Sequence, residues 1–319
     1  MAKFKRPITA IITRTKNRNV LLERAIKSVL AQTSKDYIHV ILNDGGDKKA
    51  VESLLKKYPD TNRKVIHNQE SAGLTKALNQ AIRAVESDYV AILDDDDTWH
   101  TDRVEKVNEY LYKNTKEPVV VVCMDRVIEE LNDDGTITEV SRNRWHGGVT
   151  EVSLYDQALD NYLSNGAVTY RRSLYEELNG YDESLDVAED WDFGIRCMLK
   201  YDVLFLPEVL SYYHHRPSAK GDSGNSVFAG VDTHHRNLVK LRNRYLRSDI
   251  SNGSFGIGFI MNHLHGLRRI VQEGDTRSDE RIVRLEGHIN YTIENLRSDL
   301  SKSIDSASLY RTIKNKLDH

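Results

Sequence analysis

The 319-residue chain is 39% hydrophobic and 29% charged, with 45 Lys+Arg against 48 Asp+Glu and a net charge of −3. That balance describes a globular chain with room for one large domain or two moderate ones, and it supplies no global positive field for nucleic acid. Cys123 and Cys197 both sit in apolar surroundings, which excludes a disulfide framework and suits a reducing compartment. No apolar run approaches the ~20 residues of a membrane span, and the basic N-terminus lacks the apolar region of a signal peptide, so a cytoplasmic protein is expected.

Ile8-Thr9-Ala10-Ile11-Ile12 reads as a first strand, opening into the polar, cationic stretch Thr13 to Arg18. Leu21, Leu22, Ala25, Ile26, Val29 and Leu30 recur at helical spacing, so a helix follows and ends near Gln32. A second strand over His39–Leu42 leads into Asn43-Asp44-Gly45-Gly46-Asp47, a turn built of residues that tolerate positive φ. A helix from Lys48 to Tyr58 stops at Pro59. Lys64–His67 is a third strand, and a helix from Leu74 carries Ala77, Leu78, Ala81, Ile82 and Val85 on one face. Strand and helix alternating at this spacing predict βαβ units in a parallel, doubly wound α/β sheet.

The fourth strand, Tyr89-Val90-Ala91-Ile92-Leu93, runs straight into Asp94-Asp95-Asp96-Asp97 and then Thr98-Trp99. Ligands bind at the carboxyl ends of strands in such sheets. Four adjacent carboxylates repel one another and are best tolerated beside a cation. Their hard oxygens suit Mg²⁺ or Mn²⁺. A solvated acidic loop is the plainer alternative, but it has no reason to follow a buried strand. The first two strand ends place Thr15 and Asp44 near the carboxylates, in a nucleotide-sized crevice that has no glycine-rich phosphate fingerprint.

The second half is less regular. Val119–Met124 and Ala167–Tyr170 read as strands, with a hairpin turn at Asp133-Asp134-Gly135. A helix from Arg171 to Leu178 stops at Asn179-Gly180. A further helix starts at Glu189, with Trp191, Ile195, Met198 and Leu199 on one face. Glu189, Asp190 and Asp192 give it three carboxylates in four positions, more than a helix cap needs. Val203–Pro207 is a late strand, and Ser211–Ser223 reads as a long polar loop whose His214, His215, Arg216 and Lys220 suit a lid over a diphosphate. From Asp232 onward the chain reads as helical. Its last segment, Ser306 to Leu317, is basic and amphipathic and would pack on the domain, on a second copy, or on a membrane surface.

Taken together and in this order, Ile11–Arg18, Ser28–Thr33, Asn43–Gly46, Leu93–Trp99, Asn179–Glu183 and Ala188–Asp192 resemble the inverting glycosyltransferase family 2 with its GT-A fold, across roughly residues 7 to 220. The resemblance implies a doubly wound, mostly parallel sheet flanked by helices, over residues 1–225. Within it, 1–110 would be the nucleotide-binding half and 111–225 the acceptor-binding half, with 226–319 a C-terminal helical extension. It implies transfer of a sugar from a nucleoside-diphosphate-sugar, UDP-sugars favoured, to a hydroxyl of a glycan or lipid-linked glycan, in the setting of polysaccharide biosynthesis. Asp190 would be the general base, with Glu189 the second candidate. Thr15, Arg14, Asp44, Asp94 and Asp95 would contact the donor. Asp96 would ligate Mn²⁺ or Mg²⁺, with His215 completing that metal site.

Lys76 would replace an arginine missing from the third helix, where the chain has Ala77-Leu78-Asn79. Arg216 and Lys220 would add positive charge at the diphosphate. Trp191 and Trp145 are candidate platforms for the acceptor sugar, although the helical phase of Trp191 favours a core role. Two other classes fit parts of the pattern: a nucleotidyltransferase acting on sugar phosphates, for which the Glu-Asp helix has no task, and a non-catalytic nucleotide- or sugar-binding module, which would not need both Asp96 and Asp190.

Overall fold

The computed structural model describes residues 8–132, 136–147, 149–185, 187–219, 221, 224–225, 231–273 and 291. The chain divides into two units, Met1–Gly258 and Phe259–His319. The first holds a nine-stranded sheet in the order β3-β2-β1-β4-β8-β6-β9-β5, with β7 paired to β6.

The parallel half consists of β1 (Thr9–Thr15), α1 (Asn19–Leu30), β2 (Tyr37–Asp44), α2 (Lys48–Lys57), β3 (Arg63–Asn68), α3 (Leu74–Arg83) and β4 (Tyr89–Ile92). β1 pairs in parallel with both β2 and β4, matching Thr15 to Asn43 and Ile12 to Ile92. Successive residues of a strand point to opposite faces, and the core divides accordingly. Ala10, Ile12, Val40, Leu42, Val90 and Ile92 pack against α3, while Ile11, Ile41 and Ala91 meet the helices of the other face. These side chains are almost wholly buried, so the strands read as unbroken apolar runs, as strands covered on both faces do.

Beyond β4 the pairing changes. β5 is Thr98–Trp99, α4 Arg103–Lys113, β6 Val119–Leu131, β7 Ile137–Trp145, α5 Leu154–Leu159, β8 Val168–Arg171, α6 Arg172–Glu177, α7 Glu189–Met198 and β9 Leu204–His215. β8 runs antiparallel between β4 and β6, β7 antiparallel to β6, and β5 antiparallel to β9; the β6–β9 pair alone is parallel. The sheet is therefore parallel over its first four strands and mixed thereafter. The turn expected at residues 133–135 lies outside the described residues, but the β6–β7 pair it would join is present.

One expected loop is a strand. β9 continues through Ser211–His215, with His215 in register with Ile128. Its polar side chains are not solvated: His214 and His215 are buried and Arg216 has no exposed surface. The run reads as a loop in sequence because its polar groups find partners in the interior rather than in water. Helix α8 (Val231–Ser251) belongs to the first unit, and α9 spans Ile257–Glu273. The basic segment 306–317 lies outside the described residues. Among those described, no helix is long and apolar enough to cross a membrane.

Candidate functional site

The site stands at the carboxyl ends of β1, β2 and β4, where the register ends beside Asp94–Asp97. Each carboxylate there has a different environment. Asp94 is 35% exposed and accepts from Arg14 Nη2 at 3.1 Å. Asp95 Oδ1 accepts from Arg18 Nη1 at 2.7 Å. Burial pushes Asp95 up to about 7, against the pull of Arg18. The buried Thr15 hydroxyl lies beside it and, as a hydrogen-bonding neighbour, also opposes the upward push. Asp96 Oδ2 accepts from Arg18 at 2.7 Å, Arg216 at 2.6 Å and Asn225 Nδ2 at 3.1 Å. Burial alone would raise Asp96, but the two guanidinium groups outweigh it and hold the group below the ordinary carboxylate value. Asp97, pushed well up by burial and then by Asp96, accepts from the His214 backbone N–H at 3.0 Å.

Behind this row lies an ion-pair network that the sequence did not disclose. Glu129 of β6 is 2% exposed and accepts from Arg24 at 2.7 Å and Arg216 at 2.6 Å, with His214 Nδ1 at 2.8 Å. Those contacts overcome burial and bring it down to about 2. Arg24 also donates to the Asp96 carbonyl at 2.6 Å. Arg216 thus bridges Glu129 and Asp96, and Arg18 bridges Asp95 and Asp96.

Across the crevice, Ala188 caps α7 in the left-handed region, at φ 67° and ψ 21°. It turns the chain so that Glu189 and Asp190 face the site. Glu189 is 4% exposed; its Oε1 lies 3.9 Å from Arg14 and accepts from Asn165 Nδ2 at 3.4 Å. Burial, then the neighbouring Asp190, push it up to about 8. Asp190 is half-buried, with Oδ1 accepting from Trp191 N–H at 2.8 Å and Oδ2 from Asn165 N–H at 3.4 Å. Burial outweighs these hydrogen bonds, so Asp190 also rises above the ordinary value. Arg14 lies between the two groups of carboxylates, touching Asp94 on one side and Glu189 on the other, and donates to the Leu74 carbonyl at 2.8 Å.

The structure gives several expected residues other work. Asp44 accepts from Asn68, Ser71, Ala72 N–H and Gly73 N–H at 2.7–3.2 Å. Four donors fill its two oxygens, so it anchors the 68–73 loop. The turn after Asp44 needs Gly45: φ is +78°, and an added Cβ would lie 2.6 Å from Ser71 N. Lys76 lies on the exposed face of α3. Trp191 is a core residue, 6% exposed, with its indole N–H donating to the Gln157 carbonyl at 2.5 Å. Trp145 is half-buried and belongs to an edge-on aromatic group with Tyr213 and His215 at 5.7 and 6.0 Å. Lys220 lies outside the described residues. Arg18, Arg24, Glu129, Asn165 and Asn225 were not foreseen; Glu129 shares its strand with Asp125 and Glu130, so nothing local singles it out.

Asp95, Asp96 and His215 carry donor atoms of the kind that Mg²⁺ or Mn²⁺ takes. Burial and Arg126 bring His215 down to about 4, so its ring is neutral at physiological pH. Yet three donors already hold Asp96 Oδ2. Among the described residues no three His, Cys, Asp or Glu side chains form a group that could hold a metal ion. As arranged, guanidinium groups hold Asp95 Oδ1 and Asp96 Oδ2, so a divalent cation here would have to take the remaining oxygens or displace an arginine.

Residues 10–178 match the family described as Glycosyl transferase family 2. The chain belongs to this family. Among curated relatives, an uncharacterized glycosyltransferase of Methanocaldococcus jannaschii is 24% identical over 210 residues, covering 64% of this chain and 70% of that protein. The mannosyltransferase PcManGT of Pyrobaculum calidifontis, solved with GDP-Man and Mn²⁺, superposes with a TM-score of 0.56 at 16% identity, covering 91% of this chain and 81% of that one. TarS 1-349 of S. aureus with UDP-GlcNAc gives 0.55 at 19% identity, over 74% of this chain and 66% of that one. This family member therefore has the GT-A fold, and it spans slightly less than two-thirds of the TarS piece.

Proposed function

We propose that the chain moves a sugar from a nucleoside-diphosphate-sugar, UDP-sugars first, to a hydroxyl of a glycan or lipid-linked glycan, with inversion at the anomeric carbon. The carrying observation is the bridge made by Arg14: the Asp94–Asp97 row and the Glu189–Asp190 pair stand on two sides of one crevice, 3.1 and 3.9 Å from the same guanidinium. The complexes of TarS with UDP-GlcNAc and of PcManGT with GDP-Man support the donor class.

In this reading the acceptor hydroxyl gives its proton to Asp190 as its oxygen attacks the anomeric carbon. The bond from that carbon to the β-phosphate oxygen breaks, and the nucleoside diphosphate leaves with the electron pair. Asp190 suits the base role better than Glu189 because it is half-buried and reachable, whereas Glu189 is enclosed between Arg14 and Asn165. Its raised pKa strengthens it as a proton acceptor near neutrality. A single displacement of this kind inverts the anomeric centre. Negative charge on the departing diphosphate falls to Arg18 and Arg14, which line the crevice with side chains 20% and 11% exposed. Residues 1–110 supply the donor side and 111–225 the acceptor side, where Trp145 offers a ring.

The test is release of nucleoside diphosphate from a panel of UDP- and GDP-sugars, with oligosaccharide acceptors, by wild type and Asp190→Asn. Release from one donor that disappears in Asp190→Asn supports the reading. Release that Asp190→Asn leaves intact removes the base assignment. No release, together with no nucleoside diphosphate binding, removes the glycosyltransferase reading.

A further inference from the structure

Helix α8 lies beyond the segment that matches the family, yet it reaches the base. Arg244 donates Nη1 to Asp182 and Nη2 to Asp192, so one guanidinium ties together two carboxylates that flank the base-bearing turn. Tyr245 Oη donates to the same Asp192 oxygen at 2.9 Å. Asp192 is buried and accepts on its other oxygen from Arg196 Nε at 2.7 Å. Arg196 in turn donates to the Leu178 and Gly180 carbonyls at 2.7 and 3.0 Å, fixing the turn that precedes Asp182. Gly180 itself sits at φ +72°, with Tyr175 Oη 2.9 Å from where a Cβ would be.

Between the two tied ends, Leu185 accepts from Thr75 Oγ1 at 2.5 Å and Ala188 adopts its left-handed conformation. That conformation is strained for an alanine and persists only where surrounding contacts hold it. Asp192 N–H donates to the Ala188 carbonyl at 3.0 Å, so whatever fixes Asp192 also fixes the first turn that carries Asp190. A second point of α8, His234, lies near Asp190: burial brings His234 below its ordinary value, and the charge of Asp190 opposes that only in part.

We infer that Arg244, with Tyr245, is a positioning residue: it straps the 182–192 segment at both ends and holds Asp190 where it can accept the acceptor's proton. This rests on the reading of Asp190 as the base. The geometry is economical, since Arg is suited to holding two carboxylates at once through its planar fork, while Lys offers a single point charge.

The experiment compares wild type, Arg244→Met, Arg244→Lys and Tyr245→Phe in the full chain. Misplacing a catalytic group by about 1 Å costs on the order of 100-fold in rate. Arg244→Met should lower kcat by about 10- to 100-fold while donor KM and nucleoside diphosphate affinity stay as in wild type, because Arg14, Arg18 and Asp94–Asp97 are untouched. Arg244→Lys should recover part of the loss, and Tyr245→Phe should cost less than Arg244→Met. An unchanged kcat overturns the strap. A parallel fall in nucleoside diphosphate affinity overturns it too, since that marks general damage.

Amide hydrogen exchange over 183–192 provides a readout that needs no turnover. Faster exchange confined to that segment in Arg244→Met supports the strap; unchanged protection overturns it even if the wild type transfers no sugar. Failure of the transferase reading and failure of this inference are thereby read separately.

Discussion

The two sides of the crevice treat the same chemical group in opposite ways. On the donor side Asp96 receives two guanidinium groups and an amide and is held as a carboxylate, below its ordinary pKa. On the base side Asp190 receives two backbone N–H groups and, among the described residues, no ion pair, and its pKa rises. Burial pushes both upward; partners decide which way each finally moves. A carboxylate that stays charged anchors a frame of arginines, while one that wants a proton can take it from an acceptor hydroxyl. Separation of the two roles comes from the supply of positive charge, and the elements on each side explain that supply. The end of β1, the loop after it and the first turns of α1 bring Arg14, Arg18 and Arg24, whereas α7 presents three acids in its first turn and only Arg196 in its last.

If that contrast is real, the largest effect follows from removing the proton acceptor. Asp190→Asn keeps the shape and loses the base, so kcat should fall by about 10²- to 10⁴-fold, the usual contribution of a general base. Nucleoside diphosphate affinity, measured by calorimetry, should not change. A fall in affinity as large as the fall in kcat would erase the distinction between the two sides.

The donor side is tested next. Arg18→Met removes charge-assisted hydrogen bonds worth about 1.5–3 kcal/mol each, so nucleoside diphosphate affinity should drop by about 10- to 100-fold. Because Arg18 and Arg216 already occupy Asp96, binding by the wild type should persist in a metal chelator. Loss of binding in chelator together with normal binding by Arg18→Met would assign the charge to a divalent cation and reverse this account of the donor side.

Much of the donor side was legible in the sequence because its signals are local. Apolar runs ending in Asp94–Asp97, the Asn43–Asp47 turn and the helical spacing of α1 and α3 needed only neighbours in the chain. What escaped was set by partners far away. Asp44 reads as a donor contact until loop 68–73 is seen to use all its oxygens. Ser211–Arg216 reads as a polar lid, since the groups that satisfy it, Glu129 and Asp97, are 85 and 117 residues away. Arg244 lies in a helix that carries no motif at all, and only the fold brings it 52 residues back to Asp192. Local patterns give elements and candidate chemistry; long-range ion pairs decide which candidates are free to act.

A smaller effect concerns Glu189, whose folded pKa is pushed up to about 8 from the ordinary 4.5. The native state therefore holds a proton that the unfolded chain releases, so folding stability declines as pH rises from about 4.5 through about 8. Glu189→Gln has no proton to lose. Its stability should exceed that of the wild type at pH 9 by more than at pH 5, as read from denaturant midpoints. A constant difference between the two pH values would show that Glu189 is ionised throughout and that both sides of the crevice hold their charge alike.

The smallest effect comes from the backbone beneath the base. Ala188 at φ 67° occupies a region that costs an L-residue about 1–2 kcal/mol. Ala188→Gly removes that cost but frees the unfolded chain, which takes back about 0.5–1 kcal/mol. The net should be a gain of about 0–1 kcal/mol, a small rise in denaturant midpoint. With the strain gone, the turn carrying Glu189 and Asp190 has more room to move, so kcat should fall slightly while nucleoside diphosphate affinity does not. Ala188→Val should act in the opposite direction on stability, since a β-branched side chain tolerates this region least. If glycine instead lowers the midpoint by about its unfolded-state cost, the left-handed turn is already relaxed. The base would then be placed by Arg244, Tyr245 and Arg196 acting on Asp192 alone, and the strained cap would contribute nothing to how the two sides differ.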